Sequence, residues 1–572
     1  MFKEKRHLFY KGFITFFLPL FMLFLFGPAE IFFANVGDFD FVYGEFVWLM
    51  GLIAFGGALV AGIIVALVPK AIRKILMSLA FGISIAGYIQ VMFINEGLDL
   101  LGMNPEGYTP DQATAGINMV IWIVIIVAVL GLSFWKEKTW HGIVVYVSVF
   151  LILIQGVALV SLAAQAGEEA YKHPGGDQWF LSSENQAVVS SNDNILVIIL
   201  DYFSNQYVAS ALEQYPDLLD GLNDFTYYDN ADCTYFGTYP SLAHMTSGNM
   251  VDTNMLINDW TASIWQAPLT KQFYNELHKK NYVVNIYTPD KDMLCGMNSV
   301  EILEGTFDNV TNAAADLIID YNLLVKTMTK MSCYRFAPYA LKPSFYVNVN
   351  AYTDIVQIRG NCIYHNNSSF NKILIEEGGL KTDDKHNYYV IQHLMGPHSY
   401  ETKADGTYTE ESSREETIKG CMVIMEEYIR QLKELGVYDD ATIIITSDHG
   451  APDESQVIFF MKEPGEHHDV MQETSAPIAH TEYMATIARA AGLDYTKYGQ
   501  SVQDIPADIP RERTVWVRLY RDEFPSVLKY SGEETGVSNA YCGFKYTGGI
   551  DELLESYKKG PDIILQEQDC FF

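Results

Sequence analysis

The run Ile443-Ile-Ile-Thr-Ser-Asp-His-Gly450 ends an apolar stretch of strand length in a carboxylate beside an imidazole. A buried strand has no packing use for such a tip. Two other stretches are built the same way, Asn194-Ile-Leu-Val-Ile-Ile-Leu-Asp201 and Tyr388-Tyr-Val-Ile-Gln-His-Leu-Met-Gly-Pro-His398. Strands apolar throughout suit a parallel sheet covered on both faces, and open α/β sheets bind ligands at the carboxyl ends of their strands. Three strands that deliver Asp, His and Asp-His there predict a metal site at the sheet rim. Asp201, Asp448 and His449 mix oxygen and nitrogen donors, a set that suits Mn²⁺ or Zn²⁺ better than Ca²⁺, with Mg²⁺ as a third candidate.

Around these strands the chain alternates. Helical spacing is read over Val208 to Leu222, Leu269 to Lys280, Asn309 to Lys330, Ile418 to Leu435 and His480 to Ala491, and strands over Val283 to Tyr287 and Gln456 to Met461. This β-α-β order predicts a mostly parallel sheet flanked by helices. Pro338 to Asn367 gives no readable pattern, and the alternating runs Thr514 to Tyr520 and Ala540 to Tyr546 predict a small antiparallel α+β subdomain.

The first part of the chain differs in composition. Apolar runs near 10–33, 46–68, 74–94, 117–135 and 142–163 each reach the ~20 residues that cross a hydrocarbon core. Lys3, Lys5, Arg6 and Lys11 precede the first run, Lys70, Arg73 and Lys74 separate the second and third, and Lys136 and Lys138 separate the fourth and fifth. The alternate loops carry Asp and Glu instead. The positive-inside rule then puts the N-terminus in the cytoplasm and everything after about residue 165 outside, on a multi-pass protein of the plasma membrane. The length of the first run and its lack of a small-x-small cleavage site mark an uncleaved anchor rather than a secretory signal. The expected organisation is 1–164 as a five-helix transmembrane bundle, 165–193 as a juxtamembrane linker, 194–493 as a catalytic core and 494–572 as the subdomain that completes it. The formal charge of −32 argues against nucleic acid as a partner, since a phosphate backbone requires a basic face.

Between the first two apolar strands lies Thr238-Tyr-Pro-Ser-Leu-Ala-His-Met-Thr-Ser-Gly248. This frame resembles the nucleophile signature of the alkaline phosphatase and sulfatase superfamily, Cys-x-Pro-Ser-Arg followed after four residues by Thr/Ser-Gly. Pro240, Ser241, Ser247 and Gly248 fall in register, with Thr238 in the Cys position and Leu242 in place of Arg. A sulfatase needs that Cys, so the pattern is most similar to the members with a Thr nucleophile, the lipoteichoic acid synthases and phosphoethanolamine transferases. Their first metal ligand is a Glu in a Leu-Glu-Ser-Phe context, and Leu200-Asp-Tyr-Phe203 matches it in role rather than identity.

The resemblance implies an alkaline phosphatase-like α/β domain on a membrane anchor. Thr238 would be both fourth ligand and nucleophile, its hydroxyl acidified by the ion. His398 would contact the phosphate or donate a proton to the leaving oxygen. His393 is expected to pack beside the site, and His480 to support it or to serve a second ion. His244 reads as local packing, and His467 and His468 as solvated. The implied reaction moves a phospholipid headgroup, glycerol phosphate or phosphoethanolamine, from a membrane lipid donor to an envelope glycan, glycolipid or polymer hydroxyl. Two rivals stand beside it. One is a phosphodiesterase or other sulfatase-like hydrolase using the same site, and the other is a non-catalytic envelope or transport protein with a degenerate domain.

Overall fold

The structure, a computed structural model, describes residues 2–95, 112–135, 137–173, 177–252, 254–288, 291–314, 316–347, 355–360, 366–451, 456–519 and 540–566. The chain divides into two compact units, 1–176 with 315–359, and 177–314 with 360–572.

Among the described residues, the first unit holds five helices long and apolar enough to cross a membrane: Lys3–Ala34, Tyr43–Leu67, Lys70–Ile94, Ala113–Trp135 and Gly142–Gln165. The chain is thus a multi-pass membrane protein. Small residues let the first two spans touch, as membrane helices commonly do: a Cβ on Gly12 would lie 2.6 Å from the Val65 side chain. The first and third spans each contain a π-helical turn, at Met22–Phe26 and Gln90–Ile94.

The segment 315–359 leaves the second unit and packs into the first. Its helix, Tyr321–Phe336, starts where the Asp320 carboxylate accepts the backbone N–H groups of Asn322 and Leu323. Leu324, Met328 and Met331 bury one face against Ile31, Phe32, Phe46 and Met50. Gly27 permits the approach, since a Cβ there would meet Ser332 Oγ at 2.3 Å. Polar contacts fix the far end: Arg335 pairs with Glu30 at 2.7 Å, Asn118 Oδ1 accepts the Tyr339 N–H at 2.8 Å, and Asn95 donates to the Arg335 carbonyl at 2.8 Å.

Two expectations need correction here. Asn309 to Lys330 is not one helix, because Val310–Ala314 pairs as a strand with Asp177–Leu181 and Leu317–Ile319 with Val356–Ile358, which delays the helix to Asp320. The expected linker 165–193 is ordered structure from Asp177 on, with strands at Asp177–Leu181 and Val188–Ser190.

The second unit is built on a seven-stranded sheet. In chain order its strands are β1 (Asn194–Leu200), β2 (Thr226–Tyr228), β3 (Tyr282–Tyr287), β4 (Asn387–Leu394), β5 (Thr442–Thr446), β6 (Phe459–Lys462) and β7 (Gln472–Thr474). They lie side by side as β7-β2-β6-β5-β1-β4-β3. The sheet is mixed. β5, β1, β4 and β3 run parallel, while β6 is antiparallel to both β5 and β2. β1 and β5 are buried along their whole length, which is why their sequences read as unbroken apolar runs. The helix expected over Val208 to Leu222 stops at Gln214, because Pro216 forces Tyr215 out of helical geometry. The helix Arg414–Glu434 packs as expected, with Ile418, Cys421, Met425, Ile429 and Leu432 buried.

The C-terminal strands Arg513–Leu519, Ala540–Tyr546 and Ile563–Gln566 form an antiparallel sheet, covered by the helix Ile550–Lys559. A short strand from the core, Tyr235–Phe236, joins its edge in parallel. That strand leads directly into Thr238.

Candidate metal centre

β1, β4 and β5 are neighbours in register, so their carboxyl ends open at one level. There Asp201, His393 and Asp448 offer donor atoms that lie within 4.8 Å of one another, all three buried. His449 Nε2 stands 3.4 Å from Asp201 Oδ1 and 3.7 Å from Asp448 Oδ2. Thr238 Oγ1 is 3.4 Å from Asp201 Oδ2 and 3.3 Å from His449 Nε2.

Each group is held by its own neighbours. Ser447 Oγ–H donates to the His449 carbonyl at 2.7 Å and accepts the Phe203 N–H at 2.9 Å, tying the ends of β5 and β1 together. His449 Nδ1 is bonded to the Gly450 carbonyl at 2.9 Å. That bond makes Nδ1 a donor and turns Nε2 toward Thr238. Tyr202 and Phe236 meet the His449 ring edge to face, at centroid distances of 5.3 and 5.2 Å. Thr238 opens the helix Thr238–Ser247 after Gly237, whose φ of +113° is open to glycine. Leu242, where the family pattern has Arg, is fully buried, so no cation projects from that position.

The electrostatics ask for a cation. Burial and the facing Asp448 carboxylate push the Asp201 carboxyl well above its ordinary range. Asp201 Oδ1, Asp448 Oδ2 and His393 Nε2 are buried without a hydrogen-bond partner among the described residues. Burial pushes His393 down to about 4, which keeps its imidazole neutral, the form that binds metals. A divalent ion would satisfy these atoms and cancel the repulsion, so the residues fit one.

The sequence-derived residues do not all converge. Asp201, Thr238, Asp448 and His449 do. His393, expected beside the site, presents Nε2 4.0 Å from Asp201 Oδ2 and belongs to the donor group. His398 is exposed, its ring 5.5 Å from that of Tyr202. His480 lies behind the Thr238 helix, with Nδ1 3.3 Å from Ser241 Oγ, and Ser241 in turn donates to the Asp448 carbonyl at 2.6 Å. His244 is buried on that helix and bonded to the Asn249 carbonyl, in keeping with local packing.

Sequence reasoning missed Asn367. Its amide donates to the Gly396 carbonyl and accepts the Gly396 N–H, both at 2.8 Å, and so clamps the turn between His393 and His398. A polar side chain in a stretch without pattern gives no signal of that kind.

Residues 390–565 match the family model of type I phosphodiesterases and nucleotide pyrophosphatases. The match runs from within β4 to the last strand of the C-terminal sheet, and it includes Asp448 and His449 but not Asp201 or Thr238. It agrees with the resemblance to the alkaline phosphatase and sulfatase superfamily drawn from the Thr238 frame. No curated protein matches the chain. Similar solved structures include a phosphonate monoester hydrolase from Silicibacter pomeroyi, at 14% identity over 63% of this chain and 87% of that one with a TM-score of 0.36. The lipoteichoic acid synthase LtaP from Listeria monocytogenes is 12% identical over 64% and 90%, with a TM-score of 0.34. The integral membrane lipooligosaccharide phosphoethanolamine transferase EptA from Neisseria meningitidis is 12% identical over 87% and 98%, with a TM-score of 0.30.

Proposed function

We propose that this chain is a membrane-anchored, metal-dependent phosphotransferase that moves a phospholipid-derived headgroup to an envelope hydroxyl through an adduct on Thr238. The observation that carries the reading is the position of Thr238 Oγ1, 3.4 Å from Asp201 and 3.3 Å from His449, beside buried carboxylate oxygens that lack a hydrogen-bond partner among the described residues. A hydroxyl there has no structural task that an apolar side chain would not do better.

Asp201, Asp448, His449 and His393 would hold the ion, Mn²⁺ or Zn²⁺ by donor type. A bound divalent cation supplies positive charge that acidifies a neighbouring hydroxyl and offsets charge on phosphoryl oxygens. Thr238 Oγ would pass its proton to the Asp201 Oδ2 that it faces, at 3.4 Å, and attack phosphorus. The bond from phosphorus to the diacylglycerol oxygen breaks, and His398, at the open side of the site, protonates that oxygen. An acceptor hydroxyl on a glycan, glycolipid or polymer then displaces Thr238, its proton passing to His398 while the leaving Thr238 oxygen takes back its own proton from Asp201. The charge pattern between the spans supports an N-terminus in the cytoplasm and the second unit outside the plasma membrane, where both substrates lie.

A hydrolase reading, with water as acceptor, is favoured by the phosphodiesterase description of the matching family model. A non-catalytic role gives no reason for a hydroxyl and four metal-type donors to converge. The test is to incubate the purified protein and metal with a headgroup-labelled phospholipid, with and without a glycolipid acceptor. Diacylglycerol with labelled acceptor supports transfer, diacylglycerol with free headgroup phosphate supports hydrolysis, and no diacylglycerol in either arm overturns both.

A further inference from the structure

The first unit contains a cavity of about 170 Å³ walled by Met22 and Leu23 of the first span, Ile83 of the third, Trp122 of the fourth, and Phe336 and Phe345 of the segment that packs back onto the bundle. Its hydroxyl and its indole N–H are already engaged. Ser84 Oγ–H donates to the Ala80 carbonyl at 2.7 Å, and Trp122 Nε1–H donates to Gln90 Oε1 at 3.0 Å. Water held in a cavity needs two to four polar partners, and an apolar cavity of ~150 Å³ stays dry and takes hydrocarbon instead.

The surroundings say which hydrocarbon. Ile83 is 46% exposed, so the cavity reaches the outward surface of a membrane-length helix, and Met92 and Phe93 on that helix are also exposed. In a bilayer that surface faces acyl chains. Transfer from lipid to protein brings no hydrophobic gain, but an empty cavity forfeits dispersion contacts on every wall, and a chain that enters restores them. Gly87 leaves the space open: a Cβ there would make ordinary contact with the Phe336 carbonyl at 3.6 Å and with Met22 Cε and Phe336 Cδ1 at 3.7 Å, whereas a longer side chain would fill it.

We propose that this cavity seats one acyl chain of a membrane phospholipid. The inference stands on the membrane unit alone and does not need the phosphotransfer reading. It accounts for the return of 315–359 to the bundle, since Phe336 and Phe345 complete the walls.

The test uses the full-length protein in vesicles of phosphatidylethanolamine and phosphatidylglycerol, with a phosphatidylglycerol that carries a diazirine midway along one acyl chain. After photolysis, adducts are mapped by mass spectrometry. The wild type should carry adducts on Trp122, Phe336 and Phe345 in excess of those on the outward-facing Leu153 and Val157. Gly87→Leu should lower the cavity adducts several-fold while the outward-facing ones stay, and Gly87→Ala should leave both unchanged. Ile83→Trp repeats the block at a half-exposed position that tolerates bulk, should Gly87→Leu fail to fold. Cavity adducts no stronger than those at Leu153 and Val157, or adducts indifferent to a blocking variant that folds, would overturn the proposal.

Discussion

Gly396 and Asp201 meet backbone to backbone: a Cβ on Gly396 would lie 2.5 Å from the Asp201 carbonyl oxygen and 2.6 Å from its amide nitrogen. Gly396 also has a φ of +52°, a conformation that side chains disfavour. The turn that carries His398 therefore sits directly on the carboxylate end of β1. Gly396→Ala should push the two apart, with a stability loss of roughly 1–3 kcal/mol from overpacking and strain. Turnover should fall by about 10²-fold or more, because a shift of ~1 Å in a catalytic group costs that much. Denaturant melts and turnover on one preparation check both, and wild-type turnover in the variant would show that this contact does not position the site.

Thr238 and His398 should fail in different ways. Thr238→Ala removes a hydroxyl and a methyl at a half-buried position, so folding and metal content should persist while turnover drops to background and no adduct forms. His398→Ala should keep the adduct and slow its formation or release, by about 10²–10⁴-fold if it moves the proton. Mass spectrometry of protein quenched during turnover separates the two. An adduct that persists in Thr238→Ala would move the nucleophile elsewhere.

Metal should stabilise the fold as well as activate it. The facing carboxylates of Asp201 and Asp448 repel each other without a cation. Melts in Mn²⁺ or Zn²⁺ should exceed melts in chelator by ~2.7 kcal/mol when the ion is at a hundred times its dissociation constant. Asp448→Asn should raise the stability in chelator, by relieving that repulsion, and abolish the response to metal. A chelator melt identical to the metal melt would mean that no ion occupies the site.

The contrast between legible and illegible parts has a physical basis. The strand tips at Asp201, His398 and Asp448–His449 stood out because fully buried parallel strands leave nothing polar except at their ends. The Thr238 frame was legible through its resemblance alone. The helix Tyr321–Phe336 was half legible: Leu324, Met328 and Met331 keep helical spacing, but Lys326 and Lys330 between them conceal a helix that packs on membrane spans. The Asn367 clamp and the core strand Tyr235–Phe236 left no trace, since a single amide and a two-residue strand have no periodicity to read.

That two-residue strand joins the C-terminal sheet to the segment that leads into Thr238. Arg513, almost fully buried, donates to the Asn230 carbonyl at 2.7 Å and pairs with Asp232 at 3.3 Å, while the Tyr546 hydroxyl donates to the same carboxylate. Arg513→Ala leaves Asp232 buried and uncompensated, which should destabilise the unit by about 3–5 kcal/mol. Replacing the pair together, Arg513→Met with Asp232→Asn, should recover much of that loss. Equal melts for the single and double variants would show that the charge pairing contributes little.

His244 gives a pH dependence whose sign is fixed by its burial. Its ring is bonded at Nδ1 to the Asn249 carbonyl, Nε2 is buried without a partner among the described residues, and burial pushes its pKa down to about 4. In the unfolded chain the ordinary value is ~6.5. As the pH falls below that value, the unfolded state takes up a proton that the folded state refuses. The stability contributed by the neutral ring is thus complete above pH ~6.5 and is lost as the pH falls toward 4, by about 1.4 kcal/mol per pH unit. His480, pushed down to about 3 by burial, acts in the same direction. Urea melts in chelator between pH 4 and 7 should therefore show stability rising with pH in the wild type. The slope should be shallower by one proton in His244→Asn, whose amide can still donate to the Asn249 carbonyl. An unchanged slope in that variant would mean that His244 carries its proton in the folded state.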